Sequence, residues 1–218
     1  LETEWELNYL RQELKRDPAD YLRDVGLPDA PQAVLAHAVW LDPATEVDLS
    51  RVTLVHCPGS NLKLGSGVMP LAAWLEKGTP VALGTDGASS NNRLDMWEEM
   101  RTAALLHKGV NHDPMCVSAL DALRMVTYEG ARAFGFAQKG MIREGWMADL
   151  VLVDLDQPHY VGANEENLAA YIVYAGSSAD VVGTMVNGKW SFRNGEFPTL
   201  DREEIVERAR EAREAITR

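Results

Sequence analysis

Three ionisable side chains stand at or near the ends of short apolar stretches: His37, His56 and Asp86. Asp86 sits in VALGTDGASSNN (81–92), where residues suited to a buried strand run into Gly84-Thr85-Asp86-Gly87. A turn uses such residues for backbone reasons alone. A metal site uses the same aspartate as a ligand, because a carboxylate oxygen binds zinc well and a neighbouring histidine can ligate the ion or hold its bound water. Water on such an ion has its pKa drawn down to about 7, so hydroxide becomes available at neutral pH and the adjacent aspartate can accept the proton that leaves. Gly84 and Gly87 are expected to let the backbone turn sharply around Asp86, and Ser89, Ser90, Asn91 and Asn92 read as scaffolding of that loop.

A lone histidine on an apolar strand is commonly a satisfied core residue. Three ionisable groups on successive strands are harder to dismiss, because each buried polar group costs free energy unless it is paired. Parallel αβ folds also gather their ligands at the C-terminal ends of strands.

The elements that must position these residues follow from periodicity. VLAHAVWL (34–41), VTLVHCP (52–58) and VALGTD (81–86) are short and apolar, the pattern of strands buried on both faces. Helices are expected over EWELNYLRQELKR (4–16), DYLRDVG (20–26), GVMPLAAWLEKG (67–78) and NRLDMWEEMRTAALLHKG (92–109). One or two more fall in SALDALRMVTYEGARAFG (118–135), and DPATEVDLSR (42–51) reads as a helix or turn. Buried strands alternating with helices imply βα units and a parallel sheet. After Gly140 the texture changes to strands with Gly and Asn-Gly turns, which read as antiparallel structure. The tail, DREEIVERAREAREAITR (201–218), is an amphipathic helix with Ile205, Ala209, Ala212 and Ile216 on one face, expected to dock on the surface.

The chain carries 33 acidic and 21 basic residues among 218, a formal charge of −12. That excludes a nucleic-acid backbone or an anionic membrane as the main partner. Two cysteines, Cys57 and Cys116, make no disulfide framework and point to a reducing cytoplasm.

The motifs LETEWE, AHAVWL, HCPGSNLKLGSG, LGTDGASSNN and EMRTAALL, with the later GMIREGWMADLVLVDLD and MVNGKW, occur in an order that resembles the amidohydrolase superfamily. Within it the sequence looks like the 5-methylthioadenosine/S-adenosylhomocysteine deaminases, over essentially the whole chain. The resemblance implies an α/β fold, the C-terminal part of a metal-dependent (β/α)8 TIM barrel with part of a small β-sandwich. On that reading residues 1–139 hold the barrel segment, from after strand five through strand eight, 140–198 the sandwich strands and 199–218 a surface helix. One divalent metal is implied, zinc first, with iron, nickel or manganese as alternatives.

Residue by residue, Asp86 matches the family's eighth-strand metal ligand and His37 the sixth-strand histidine placed over the metal-bound water and substrate. Leu1-Glu2-Thr3 matches the end of a His-x-x-Glu-Thr motif, which makes Glu2 the acid–base glutamate. Glu2 and His37 are thereby also the expected substrate contacts. The family's His-x-His and its fifth-strand histidine have no counterpart in these residues. The chain is therefore expected to be part of a longer barrel, completed by another segment or a second chain and inactive alone, since three strands cannot close an eight-stranded barrel.

The implied reaction is hydrolytic deamination at C6 of an adenosine-type nucleoside. Guanine, 8-oxoguanine or a triazine are alternative substrates, and a non-catalytic homologue is a further alternative. A homo-oligomer is compatible with the sequence. His56 is read as structural or supporting, His107 and His112 as surface residues, Glu129 as a helix cap or ion-pair partner, and His159 has no assigned role.

Overall fold

The computed structural model describes residues 1–217. Thr3 opens the first helix, α1 (Glu4–Gln12), with a reciprocal capping box: its hydroxyl accepts from the Glu6 amide while the Glu6 carboxylate accepts from the Thr3 amide. The helix stops four residues before the expected end, and the chain turns off through Lys15 in the left-handed region. Asp17 caps α2 (Pro18–Asp24), with Pro18 in the first turn where its missing N–H costs nothing.

Three parallel strands follow: β1 (Ala33–Ala36), β2 (Val52–His56) and β3 (Val81–Leu83), ordered β1-β2-β3. Between β2 and β3 lie α3 (Pro58–Leu64) and α4 (Leu71–Glu76). After β3 come α5 (Met96–Asn111), α6 (Ala119–Val126) and α7 (Tyr128–Ala133), the last two separated by a break at Thr127. DPATEVDLSR forms turns, with Asp42 accepting from the Ala44 amide.

Burial on both faces holds for β2 and β3 but not for β1, where Val34 is 40% exposed. β1 is also shorter than expected, because the chain leaves the extended conformation at His37 and Ala38 (φ +68° and +47°). Leu54, Met69, Leu71, Trp74, Met100, Ala103, Ala122 and Met125 form the centre of the core between the sheet and its helices.

β4 (Leu150–Val153), β5 (Val181–Val186) and β6 (Lys189–Arg193) make a separate antiparallel sheet, β5 and β6 joined at Asn187-Gly188. The chain between β4 and β5 forms α8 (Leu168–Ala170), which runs on as a π-turn over Tyr171–Ala175. This stretch packs against the first layer: Val173 is fully buried in its core, the Trp97 indole donates to the Ile172 carbonyl and Ser178 donates to Asp95.

The tail helix, α9 (Arg202–Ile216), is present but undocked, with every residue from 201 to 217 exposed. Its apolar stripe holds only Ile205, Val206 and Ile216 among large side chains, too little area to outweigh the solvation of a helix this charged. Among the described residues no helix is long and apolar enough to cross a membrane.

Candidate active site

The C-terminal ends of β1 and β3 bring Glu2, His37 and Asp86 to one rim. Glu2 arrives through the capping box and through the Leu1 carbonyl, which accepts from the amides of Val39 and Trp40 just past β1. Its carboxylate faces His37, Oε2 lying 3.7 Å from Nε2. Its other oxygen, Oε1, accepts from the Ser66 hydroxyl at 2.9 Å.

His37 is still tethered to β2, its amide donating to the Val55 carbonyl at 2.8 Å, but its left-handed backbone lifts the ring out of the strand and over the rim. Asp86 does the same after β3, with φ +58°. The sharp turn therefore falls on the aspartate itself and not on Gly84 or Gly87. Residues with Cβ avoid this region at a cost of about 1–2 kcal/mol, so its use at two of three strand ends marks positions where side-chain placement overrides backbone preference.

Asp86 Oδ2 accepts from the hydroxyls of Ser60 and Ser90, each at 2.7 Å, and Oδ1 from the Gly87 amide at 2.7 Å. Those donors hold its pKa below the usual carboxylate range. Three of the roughly four lone-pair sites of a carboxylate are thereby used, leaving one on Oδ1. An aspartate fixed as an anion with one free lone pair fits a divalent cation as a single ligand. Among the described residues no three His, Cys, Asp or Glu side chains gather to hold an ion, so the donor set here fits one corner of a metal site.

A helix that sequence patterning did not anticipate carries the supporting contacts. α3 begins at Pro58 within HCPGSN, and its Gly, Ser and Asn disguise it as a loop. Ser60 reaches Asp86, while the Asn61 amide nitrogen lies 3.0 Å from His37 Nδ1 and 3.5 Å from Glu2 Oε1.

Glu99 of α5 was also missed. It is 2% exposed, accepts from the Gly59 amide at 3.0 Å and from the Asn91 side chain at 2.7 Å, and burial pushes its pKa up. Asn91 donates in turn to the Thr85 carbonyl. Glu99 thus ties the start of α3 to the loop that holds Asp86. Ser90, Asn91 and Asn92 serve as scaffolding, Asn92 donating to the Ala88 carbonyl and accepting from Lys63 of α3.

His56 does not join this rim. It keeps the strand's alternation and lies with Val52 and Leu54 on the face packed by helices, fully buried, its Nε2 3.0 Å from Nε2 of His107. His107 is therefore not a surface residue: it is 1% exposed on the inner face of α5. The sequence signal for its burial is the apolar stripe of Met100, Ala103 and Ala104, which continues one turn on to His107.

The Cys57 thiol, just after β2, is driven up to about 12, first by burial and then by the charges of Asp86 and Glu99, which rules it out as a nucleophile. His112 is exposed at the left-handed end of α5, and Glu129 pairs with Arg124 and Arg132. His159 pairs with Asp180 at 3.0 Å, far along the chain in the linker before β5.

A parallel βα layer thus carries an anchored aspartate and a carboxylate–imidazole pair at the mouths of its strands. Residues 1–191 match the amidohydrolase family, and the chain belongs to it. It is similar to the 5-methylthioadenosine/S-adenosylhomocysteine deaminase of Dictyoglomus thermophilum, with 45% identity over 94% of this chain and 48% of that protein. It is also similar to the 5'-deoxyadenosine deaminase of Methanosarcina acetivorans, with 39% identity over 99% of this chain and 50% of that protein. A crystal structure of an adenosine deaminase from Xanthomonas campestris with bound zinc matches with TM-score 0.92 at 35% identity, covering 99% of this chain and 49% of that one. The chain spans about half the length of the curated relatives it matches.

Proposed function

We propose that this chain supplies part of the active site of a metal-dependent hydrolytic deaminase. The enzyme replaces the C6 amino group of an adenosine-type nucleoside, such as 5-methylthioadenosine or S-adenosylhomocysteine, with oxygen and releases ammonia. The observation that carries the reading is the convergence of Glu2, His37 and the anchored Asp86 on one rim of parallel strands. In this reading β1, β2 and β3 are the last three strands of a (β/α)8 barrel within residues 1–139, and β4–β6 belong to a small sandwich within 140–198. The other strands and metal ligands come from a segment or second chain corresponding to the remaining half of the relatives' length. The enzyme works in the cytoplasm.

Asp86 is the ligand this chain offers to the ion, through the lone pair left on Oδ1. Zinc, bound in the similar Xanthomonas campestris structure, is the first choice, although N/O sites of this kind also accept iron, nickel or manganese. A bound ion would lower the pKa of a coordinated water to about 7 and so supply hydroxide at neutral pH. His37 Nε2 is aimed towards Glu2 and would orient the attacking oxygen between them. Glu2, with Oε1 committed to Ser66, holds and transfers the proton through Oε2, delivering it to N1 so that negative charge does not build up on the ring. With the free Oδ1 lone pair given to an ion, Asp86 would take up a proton only if Ser60 or Ser90 turned its hydroxyl away, since their two hydrogen bonds fill Oδ2.

Glu2→Gln in the full-length enzyme should lower kcat at least ~10²-fold, the usual cost of losing an acid–base group, with metal content unchanged. Near-normal turnover in that variant would remove Glu2 from the mechanism. A substrate panel of methylthioadenosine, S-adenosylhomocysteine, adenosine, guanine and a chlorotriazine fixes the class. Fastest turnover of either of the last two would replace the adenosine reading with its alternative.

A further inference from the structure

Asn61 is 1% exposed, and its carbonyl Oδ1 is buried with no hydrogen-bond partner among the described residues. A side chain kept only for packing would not carry an orphaned polar atom, because an apolar residue of similar size avoids that cost. Its amide nitrogen instead lies against two groups of the proposed mechanism, His37 Nδ1 at 3.0 Å and Glu2 Oε1 at 3.5 Å. The orientation of the amide follows from those neighbours: turned over, Oδ1 would face the Glu2 carboxylate oxygen, acceptor against acceptor.

An amide N–H can only donate. A neutral imidazole that accepts at Nδ1 must carry its proton on Nε2, since the hydrogen bond made by one ring nitrogen sets the state of the other. We infer that Asn61 is a positioning residue that locks His37 in the Nε2–H tautomer. His37 then presents a donor, not an acceptor, towards Glu2 Oε2 and the reacting oxygen. The same amide, with the Ser66 hydroxyl, crowds donors around Glu2 Oε1 and leaves Oε2 as the oxygen that carries the mobile proton. The backbone supports this assignment. Asn61 is anchored in α3 by its backbone N–H, which donates to the Cys57 carbonyl, and its own backbone carbonyl accepts from the Ser66 amide, so one short segment fixes both donors relative to Glu2.

This inference rests on the deaminase reading for its consequence, but the tautomer can be read without turnover. In full-length enzyme labelled with 15N-histidine, long-range proton–nitrogen correlation distinguishes protonated from bare ring nitrogens, and the His37 signals are assigned by their loss in His37→Gln. The expected result is a protonated Nε2 and a bare Nδ1. Asn61→Asp places an acceptor against Nδ1 and should reverse the pattern, with kcat lowered at least ~10-fold and KM changed far less. Asn61→Ala, the gentler change, should give a mixture of tautomers and an intermediate kcat. A wild-type His37 protonated on Nδ1, or an Asn61→Ala protein with unchanged tautomer and kcat, overturns the inference whatever the substrate proves to be. Failure of the deaminase reading instead shows in the Glu2→Gln assay and leaves the nitrogen shifts untouched.

Discussion

His37 and His56 follow or close neighbouring strands of one sheet, yet the structure treats them oppositely. The His37 side chain is 16% exposed, leaves the strand through a left-handed residue and meets Asn61 and Glu2 at the rim. His56 stays in the ladder, 0% exposed, and among the described residues its one polar partner is another histidine, while its Nδ1 has none. One imidazole is oriented by donors and acceptors for use. The other is desolvated and bound to stay neutral. The residue type at a strand end therefore says less than the backbone dihedral that follows it, which decides whether the ring goes over the rim or into the helical layer.

The largest effect expected from that difference is on acid stability. Burial lowers the pKa of His56 well below its ordinary value, the charges of His107 and His37 adding to the shift, and burial brings His107 down to about 4. Both rings are neutral when folded and take up a proton near pH 6.5 when unfolded. Between pH 6.5 and about 4 the unfolded chain binds more protons, so their contribution is fully present above that window and is lost as pH falls through it. For His107 alone the loss is on the order of 3 kcal/mol. Urea unfolding at pH 7 and pH 4.5 measures it, with His107→Gln as the reference because its amide can still bond His56 and does not titrate. Carboxylates such as Asp86 and Asp180 add their own acid lability in both proteins, so the difference between the two slopes isolates the histidine. Equal slopes would mean that the pair behind the sheet is not held neutral.

A middle-sized effect should follow at Gly59, the point where the rim is fastened to the helical layer. A Cβ there would run into the Glu99 carboxylate and come within 2.9 Å of the Asn91 amide. Gly59→Ala should cost about 1–3 kcal/mol by overpacking. Because α3 must shift to relieve the clash, Ser60 and Asn61 move with it, and turnover in the full-length enzyme should fall as well. Gly109→Ala on the open side of α5, where nothing lies within 4 Å, should instead leave turnover alone and raise stability by up to ~1 kcal/mol. If the two alanines behave alike in thermal unfolding and kinetics, Glu99 does not tie the two regions together.

Much of the parallel layer was legible because its signals are local. The strands β2 and β3 are apolar runs with β-branched residues, α5 has an Asp95 cap, and the antiparallel sheet has its Asn187-Gly188 turn. The family resemblance brought Glu2 and His37 together across 35 positions, a proximity that no periodicity carries. What stayed hidden depends on long-range geometry. α3 lacks a side-chain cap and is built from residues that suit loops, so only its contacts with Glu2, His37 and Asp86 reveal its purpose. β1 looked eight residues long because VLAHAVWL is apolar apart from His37, but Val39 and Trp40 turn back to donate to the Leu1 carbonyl. The α9 stripe looked like a docking face because periodicity reports amphipathicity and not whether a partner surface exists.

The smallest predicted effect tests the backbone side of the comparison. Ala38 is 2% exposed and adopts φ +47°, next to His37 in the turn that throws its ring over the rim. Replacing it with glycine removes a buried methyl worth about 0.8 kcal/mol and loosens the unfolded chain by about 0.4–1 kcal/mol. Against that, glycine relieves a left-handed conformation that costs a residue with Cβ about 1–2 kcal/mol. The opposing effects nearly cancel, so Ala38→Gly should shift stability by less than ~0.5 kcal/mol. Ala103→Gly, equally buried but in the middle of α5, has no strain to relieve and should cost roughly 2 kcal/mol from the lost methyl and helix propensity together. Denaturant midpoints of the two variants give the comparison directly. A penalty at position 38 as large as that at 103 would show that the rim turn is unstrained, and the displacement of His37 from its strand would need a cause other than a backbone held against its preference.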